Sequence, residues 1–302
     1  MRSRRSLAAL AVIAALGATS GCRTSPSVRV IPMTGRPSAV AVSDGMVWVT
    51  NDRTHDLRAF DAASVEPMGR PIKTERNPIA LAAAARSIWV AHAGGTVLRV
   101  DARSRRPGTP ITLGGSITGI AASERRVWAA DHLTSSLIEV DASADPRGVF
   151  RVRDGVVRVM IARDVVWVTN EERTVTRIDP RSRTIGPPVP VGLGPIGLAF
   201  DGERIWVANS DDDTVSRIDA QSGRRIGPPI RVGRAPIGVA VAEDVVCVVN
   251  QDDGTLVRVR ASNGEVIGDP IDLRMHPRGV VADRGRVWAV GTNPSSLVRV
   301  DL

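Results

Sequence analysis

Seven copies of one short apolar phrase, spaced about forty residues apart, leave this chain few folds to adopt. The phrase is Val/Ile-Trp-Val/Ala, centred on Trp48, Trp89, Trp128, Trp167, Trp206 and Trp288, with Cys247 in the remaining slot as Val246-Cys247-Val248. Successive centres lie 41, 39, 39, 39, 41 and 41 residues apart, and every tryptophan of the 302-residue chain is used there. A residue type confined to one repeat position has a repeated structural job. A period near 40, written in short β-rich runs, is that of propeller blades. The expected fold is all-β, a seven-bladed β-propeller of four-stranded antiparallel blades over residues 28–302.

The copy around Trp206 shows how one blade is written. Gly194-Pro195-Ile196-Gly197-Leu198-Ala199-Phe200 is followed by Arg204-Ile205-Trp206-Val207-Ala208-Asn209, then by Thr214-Val215-Ser216-Arg217-Ile218-Asp219, then by Ile226-Gly227-Pro228-Pro229-Ile230-Arg231-Val232. Each run is rich in β-branched residues and bounded by Gly, Asp, Asn or Pro, the pattern of strands and turns. The third run ends on Asp61, Asp101, Asp141, Asp179, Asp219 and Asp301, with Arg260 the one departure. A repeated Asp at a strand end is a turn-former that bonds the backbone just beyond it. Pro71, Pro110, Pro188, Pro229 and Pro270 open the fourth run, which marks it as the outer edge of the blade, where a missing N–H costs nothing. The seventh repeat stops at Asp301-Leu302, one strand short. Val28 to Met33 carries the missing pattern, so the N-terminal strand is expected to complete the last blade and close the ring.

Ahead of the repeats stands a different text. Arg2, Arg4 and Arg5 precede eleven apolar or small residues, Leu7 to Gly17, the order of an export signal and too short for a spanning helix. Thr19-Ser20-Gly21-Cys22 resembles a lipobox, so residues 1–21 are expected to be a lipoprotein-type signal peptide and Cys22 the lipidated residue. Residues 22–27 then tether the ring to the outer side of the cell membrane. Plain secretion with cleavage near Ser20 is the alternative, and the export route, general or twin-arginine, stays open. Removing the three arginines lowers the net charge from +8 to +5. Lys73 is the only lysine. A high-G+C coding sequence explains that arginine bias, and no nucleic-acid partner is expected. Cys247 has no partner for a disulfide once Cys22 carries lipid, so a monomeric closed core must supply the stability.

Val166-Trp167-Val168-Thr169-Asn170 and Trp48-Val49-Thr50-Asn51 resemble the name motif of the YVTN family of β-propeller repeats, with Trp for Tyr. Thr214 to Asp219 and Val232-Gly233-Arg234-Ala235-Pro236-Ile237-Gly238-Val239-Ala240 are similar to its two following motifs. The resemblance covers residues 28–302. It implies an extracytoplasmic binding, sensor or surface protein, and says little about activity because one frame hosts many functions.

Enzymes of related shape, streptogramin lyases and lactone hydrolases, gather His, Glu, Asp and Asn around a divalent metal near the axis. Here the residues just after the repeat proline are Ser38, Ile79, Ile196, Ile237 and Arg278, where the lyases carry a His. Asn51, Asn170, Asn209 and Asn250 stand where the lyase-like blade text has Glu. His55, His92, His132 and His276 show no metal-ligand spacing. The runs Asp211-Asp212-Asp213 and Asp252-Asp253-Gly254 read as turn chemistry without the closing Glu of a calcium loop. No catalytic residue, metal or cofactor is expected. A metal-dependent lyase or lactonase is the alternative, and a structural envelope scaffold the second.

One position breaks the repeat. Where the inner strands converge on the axis stand Ala39, Ala80, Gly119, Gly197, Gly238 and Gly279, but Arg158 in the fourth copy. That arginine is expected to project towards the channel. Arg36, Arg76, Arg153, Arg234, Arg274, His276 and Arg278 lie on loops or strand starts near the same mouth. Together they point to an anionic ligand or an acidic partner surface.

Overall fold

The computed structural model describes residues 26–141, 146–152 and 155–302. Seven antiparallel sheets stand around one axis, and each inner strand packs on the next, the seventh on the first. The first blade is Pro37–Ser43, Met46–Asn51, Asp56–Asp61 and Ile72–Lys73, paired in that order. The last takes His276–Asp283, Arg286–Thr292 and Ser296–Asp301 from the C-terminal end and Ser27–Pro32 from the N-terminal end. Val28 faces Val300 and Val30 faces Val298 across that closing pair. The strand starts one residue earlier than the sequence pattern places it. Cys22 and the signal-peptide reading lie outside the described residues.

The tryptophans are wedges between blades. All six are essentially inaccessible. Trp206 packs on Val239, Val246 and Val248 of the sixth blade, Trp48 on Ile88 and Val90 of the second, and Trp288 on Val40, Val47 and Phe60 of the first. A large flat side chain fills the widening gap between two twisted sheets, which is why one is needed per blade. In the sixth blade Cys247 is fully buried and packs with Leu256, Leu273 and Met275, which help to fill the space a tryptophan takes elsewhere. Burial pushes its thiol up to about 12, so it behaves as a small apolar group.

Outer strands are shorter than the expected run. Most are two-residue pairings such as Ile230–Arg231 and Ile271–Asp272, preceded by a single bridge such as Ile218 to Arg225 or Val259 to Val266. The Gly-Pro text between the two contacts breaks the ladder; Gly227 there has φ +60°. Only the third and seventh blades have six-residue outer strands, Pro146–Arg151 and Ser27–Pro32.

The strand-ending aspartates do what their position predicts. Asp61 Oδ1 accepts the N–H groups of Ala63 and Ser64, Asp179 those of Arg181 and Ser182, and Asp219 that of Ser222. At Arg260, the exception, Asp244 from the neighbouring turn accepts the Ser262 N–H instead. These bonds hold the carboxyls of Asp61, Asp101, Asp179 and Asp219 below the usual range, through Ser64, Ser104, Arg181 and Ser222 respectively. A depressed folded pKa adds stability that is complete above the unfolded value near about 4 and lost as pH falls through the folded one. The urea midpoint is therefore expected to be level between about pH 5 and 7 and to drop below about pH 4. Asp219→Asn should flatten that drop. An identical acid slope in the variant would show that these turns do not carry it.

Candidate functional site

A β-bulge in every inner strand shapes the channel. Pairing jumps from Pro37–Asn51 to Ala39–Thr50, from Pro236–Asn250 to Gly238–Val249 and from Pro277–Gly291 to Gly279–Val290. The shift begins at the residue after the repeat proline, or after Ile117 and Val156 where the third and fourth blades have no proline, and the bend turns side chains towards the axis. Ser38, Ile79, Thr118, Ile196, Ile237 and Arg278 therefore line a channel cavity of about 550 Å³, with Arg158 and the axial glycines one step further along. Bulging frees carbonyl oxygens, and polar side chains satisfy them across blade boundaries. Ser38 Oγ donates to Pro78 O at 2.6 Å, Thr118 Oγ1 to Val157 O at 2.9 Å, and Gln251 Nε2 to Pro277 O at 3.3 Å.

The repeated Trp-Val-Thr-Asn text now has a physical meaning. Thr50 Oγ1 accepts the Ala39 N–H at 3.0 Å and Thr169 Oγ1 the Arg158 N–H at 3.1 Å, clamping the bulge. Asn51 accepts the Arg36 N–H and donates to Thr34 O, and Asn209 accepts the Gly192 N–H, tying the entry loop to the blade. Two of the four asparagines that stand in place of Glu, Asn51 and Asn209, are thus loop ties, while Asn170 accepts from Thr176 and Asn250 donates to Thr255 within their own hairpins. His92, at the matching place in the second blade, is fully buried with Nδ1 on Thr96 O; burial pushes its pKa down and keeps it neutral. The acidic runs act similarly. Asp212 accepts the Leu193 N–H, Asp213 the Ala235 N–H and Asp253 the Arg234 N–H. Among the described residues no three His, Cys, Asp or Glu side chains gather in a metal-binding group.

Of the arginines expected at the mouth, two enter the channel. Arg158 donates Nη1 to Thr118 O at 2.6 Å and to Val157 O at 3.2 Å, and no carboxylate among the described residues reaches it. It keeps some accessible surface, but that surface opens on the channel and protein surrounds the group. Burial pushes its pKa down, and the charge of Arg278 adds to the effect. Arg278 donates Nη1 to Asp52 Oδ2 at 3.0 Å, while Arg36 Nε takes the other oxygen of Asp52 at 2.6 Å. Asp52 is buried and held from both sides.

Five of the other positions are either paired with a carboxylate or set away from the channel. Arg36 is neutralised by Asp52 and Arg234 by Asp253, at 2.6 Å each, so neither offers a free charge to a ligand. Arg76 and Arg274 on the entry loops, and His276 at the start of its inner strand, are exposed and do not line the channel. Arg153 lies outside the described residues. The sequence reading missed Asp52 and Gln251. Both directly follow the motif Asn, a place also held by Glu171, which pairs with His132 at 3.3 Å. That position varies from blade to blade beside an Asn that recurs in four of the seven blades, which is the available signal for it.

No protein-family model matches the chain, and neither does any curated protein. Solved structures do. A histidine-to-alanine, catalytically inactive virginiamycin B lyase from Staphylococcus aureus, crystallised with quinupristin, superposes with a TM-score of 0.80 at 15% identity, over 92% of this chain and all of the other. A streptogramin B lyase gives 0.78 at 13%, over 92% and 98%. The WD40 repeats of RRP9 give 0.79 at 11%, over 91% and 97%. One ring shape serves a lyase and WD40 repeats alike. At these identities the likeness establishes the propeller and nothing finer.

Proposed function

We propose that this propeller is a non-catalytic binding module of the YVTN type at the cell envelope. A lipid on Cys22 holds it to the outer side of the membrane, and the mouth of its channel receives an anionic ligand or the acidic groups of a partner. The observation that carries the reading is Arg158. A half-buried guanidinium without a counter-charge is unfavourable in the folded protein, and the same register holds Ala or Gly in every other blade. Its main-chain bond to Thr169 is the one Ala39 makes to Thr50, so the fold does not require an arginine there. Functional sites are where such costs are retained. The lyase alternative has less to support it, because the channel positions after the repeat proline carry Ser, Ile and Arg and none of them carries His.

Arg158→Ala should weaken retention of the bound envelope component by about 1.5–3 kcal/mol. The melting temperature should stay level or rise, since the substitution removes a half-buried charge that has no carboxylate partner among the described residues. Wild-type and variant protein, immobilised and washed with solubilised envelope at low and high salt, provide the comparison, and added salt should loosen the wild-type contact. Full retention by the variant, or a lowered melting temperature with retention intact, would make Arg158 a structural residue. Mass spectrometry of membrane-purified protein checks the anchor. An acylated Cys22 at the N-terminus is expected, and an unmodified one contradicts it.

A further inference from the structure

We infer that the channel is built for a small organic anion, a carboxylate or phosphate monoester joined to an apolar body. The inference rests on the binding-module reading above and names its ligand class. Its first support is the charge arrangement. Asp52 is shared by Arg36 and Arg278, and no carboxylate among the described residues reaches Arg158, so the two arginines that line the channel carry more positive charge than Asp52 offsets. Asp52 cannot swing to Arg158 without releasing Arg36 and Arg278, which hold its two oxygens. Arg158 is fixed in direction by its Nη1 bonds to Thr118 O and Val157 O, while Nε and Nη2 donate to no acceptor among the described residues. An oriented guanidinium edge with free donors matches an oxyanion.

The second support is the rest of the wall. Ile79, Ile196 and Ile237 are half-buried, turned into the channel by their bulges, and alternate with bare backbone at the axial glycines. An inorganic oxyanion would satisfy Arg158 and leave these isoleucines against water. At about 550 Å³ the cavity is also the size that takes a whole small molecule. A broad acidic protein surface would meet the mouth without covering the isoleucines. One polar edge and three apolar flanks call for a ligand with one charged end.

Titration calorimetry on the full chain tests this with octanoate, octyl phosphate, acetate, inorganic phosphate, octyltrimethylammonium and hexaglutamate, each below its micelle concentration. Octanoate and octyl phosphate should bind at least tenfold tighter than acetate and inorganic phosphate, and octyltrimethylammonium should not bind. Arg158→Gln should weaken octanoate at least tenfold. Ile237→Ser should erase the advantage of octanoate over acetate while leaving acetate unchanged, a readout that stands if the arginine variant fails to fold. Octanoate binding no tighter than acetate, or octanoate binding indifferent to Arg158→Gln, overturns the inference. If hexaglutamate alone binds and needs Arg158, the inference falls and the binding-module reading survives. If no anion shows dependence on Arg158, both fall.

Discussion

Deleting Val28 to Met33 should unfold or nearly unfold the ring. The strand seals the last blade on both sides: Val30 packs into the cluster shared with the sixth blade, and Ile31 and Met33 into the one shared with the first. Its six pairings, from Ser27–Asp301 to Pro32–Ser296, cover the third strand of that blade. Further ties are the Ser27 hydroxyl on Asp301 and the Met33 N–H on Ser295 O. Without the strand, Leu297 and Val298 lose their cover and Ser296–Asp301 becomes an unpaired edge. The three apolar side chains are half-buried, so each contributes less than the full value of about 1.5–3 kcal/mol. Together with the lost pairing the cost is about 3–6 kcal/mol, against a typical domain stability of about 5–15. Urea and thermal unfolding of the deletion variant provide the measurement. A midpoint equal to the wild type would mean that the inner strands alone keep the ring shut.

That closing strand was legible in the sequence because the repeat is arithmetical. A blade short by one strand at one end and a spare strand at the other leave a single solution. The tryptophan wedge and the strand-ending aspartates were legible for a related reason, since each job depends on residues inside one repeat. Arg36 and Arg234 misled because their partners, Asp52 and Asp253, lie 16 and 19 residues further on in a different turn. Nothing in a linear pattern says that the entry loop and that turn touch at the top of the ring. Arg158 stood out because six other blades defined what its position ordinarily holds. Its lack of a carboxylate, and the three isoleucines around it, appeared only when seven bulges were brought to one axis.

Trp206→Ala should be the most damaging single substitution in the ring, at about 3–5 kcal/mol, because it opens a cavity between two blades. The tryptophans are nevertheless not equivalent. Trp206 donates Nε1–H to Asp201 Oδ2 at 2.8 Å, whereas the Nε1 groups of Trp48 and Trp167 are buried with no acceptor. Burial pushes the Asp201 carboxyl up, but the Trp206 Nε1–H and the N–H groups of Arg204 and Glu203 outweigh it and hold the pKa low. Trp→Phe removes the same volume at both positions. At Trp206 it also strips a donor from a buried carboxylate, while at Trp167 it deletes an unsatisfied polar group. Trp206→Phe should therefore cost about 1–2 kcal/mol more than Trp167→Phe in equilibrium unfolding at pH 7. Because a depressed pKa adds stability only above the unfolded value, the difference should shrink as pH falls through the folded pKa of Asp201. Equal losses at both positions, unchanged by pH, would mean that packing alone sets the value of these tryptophans.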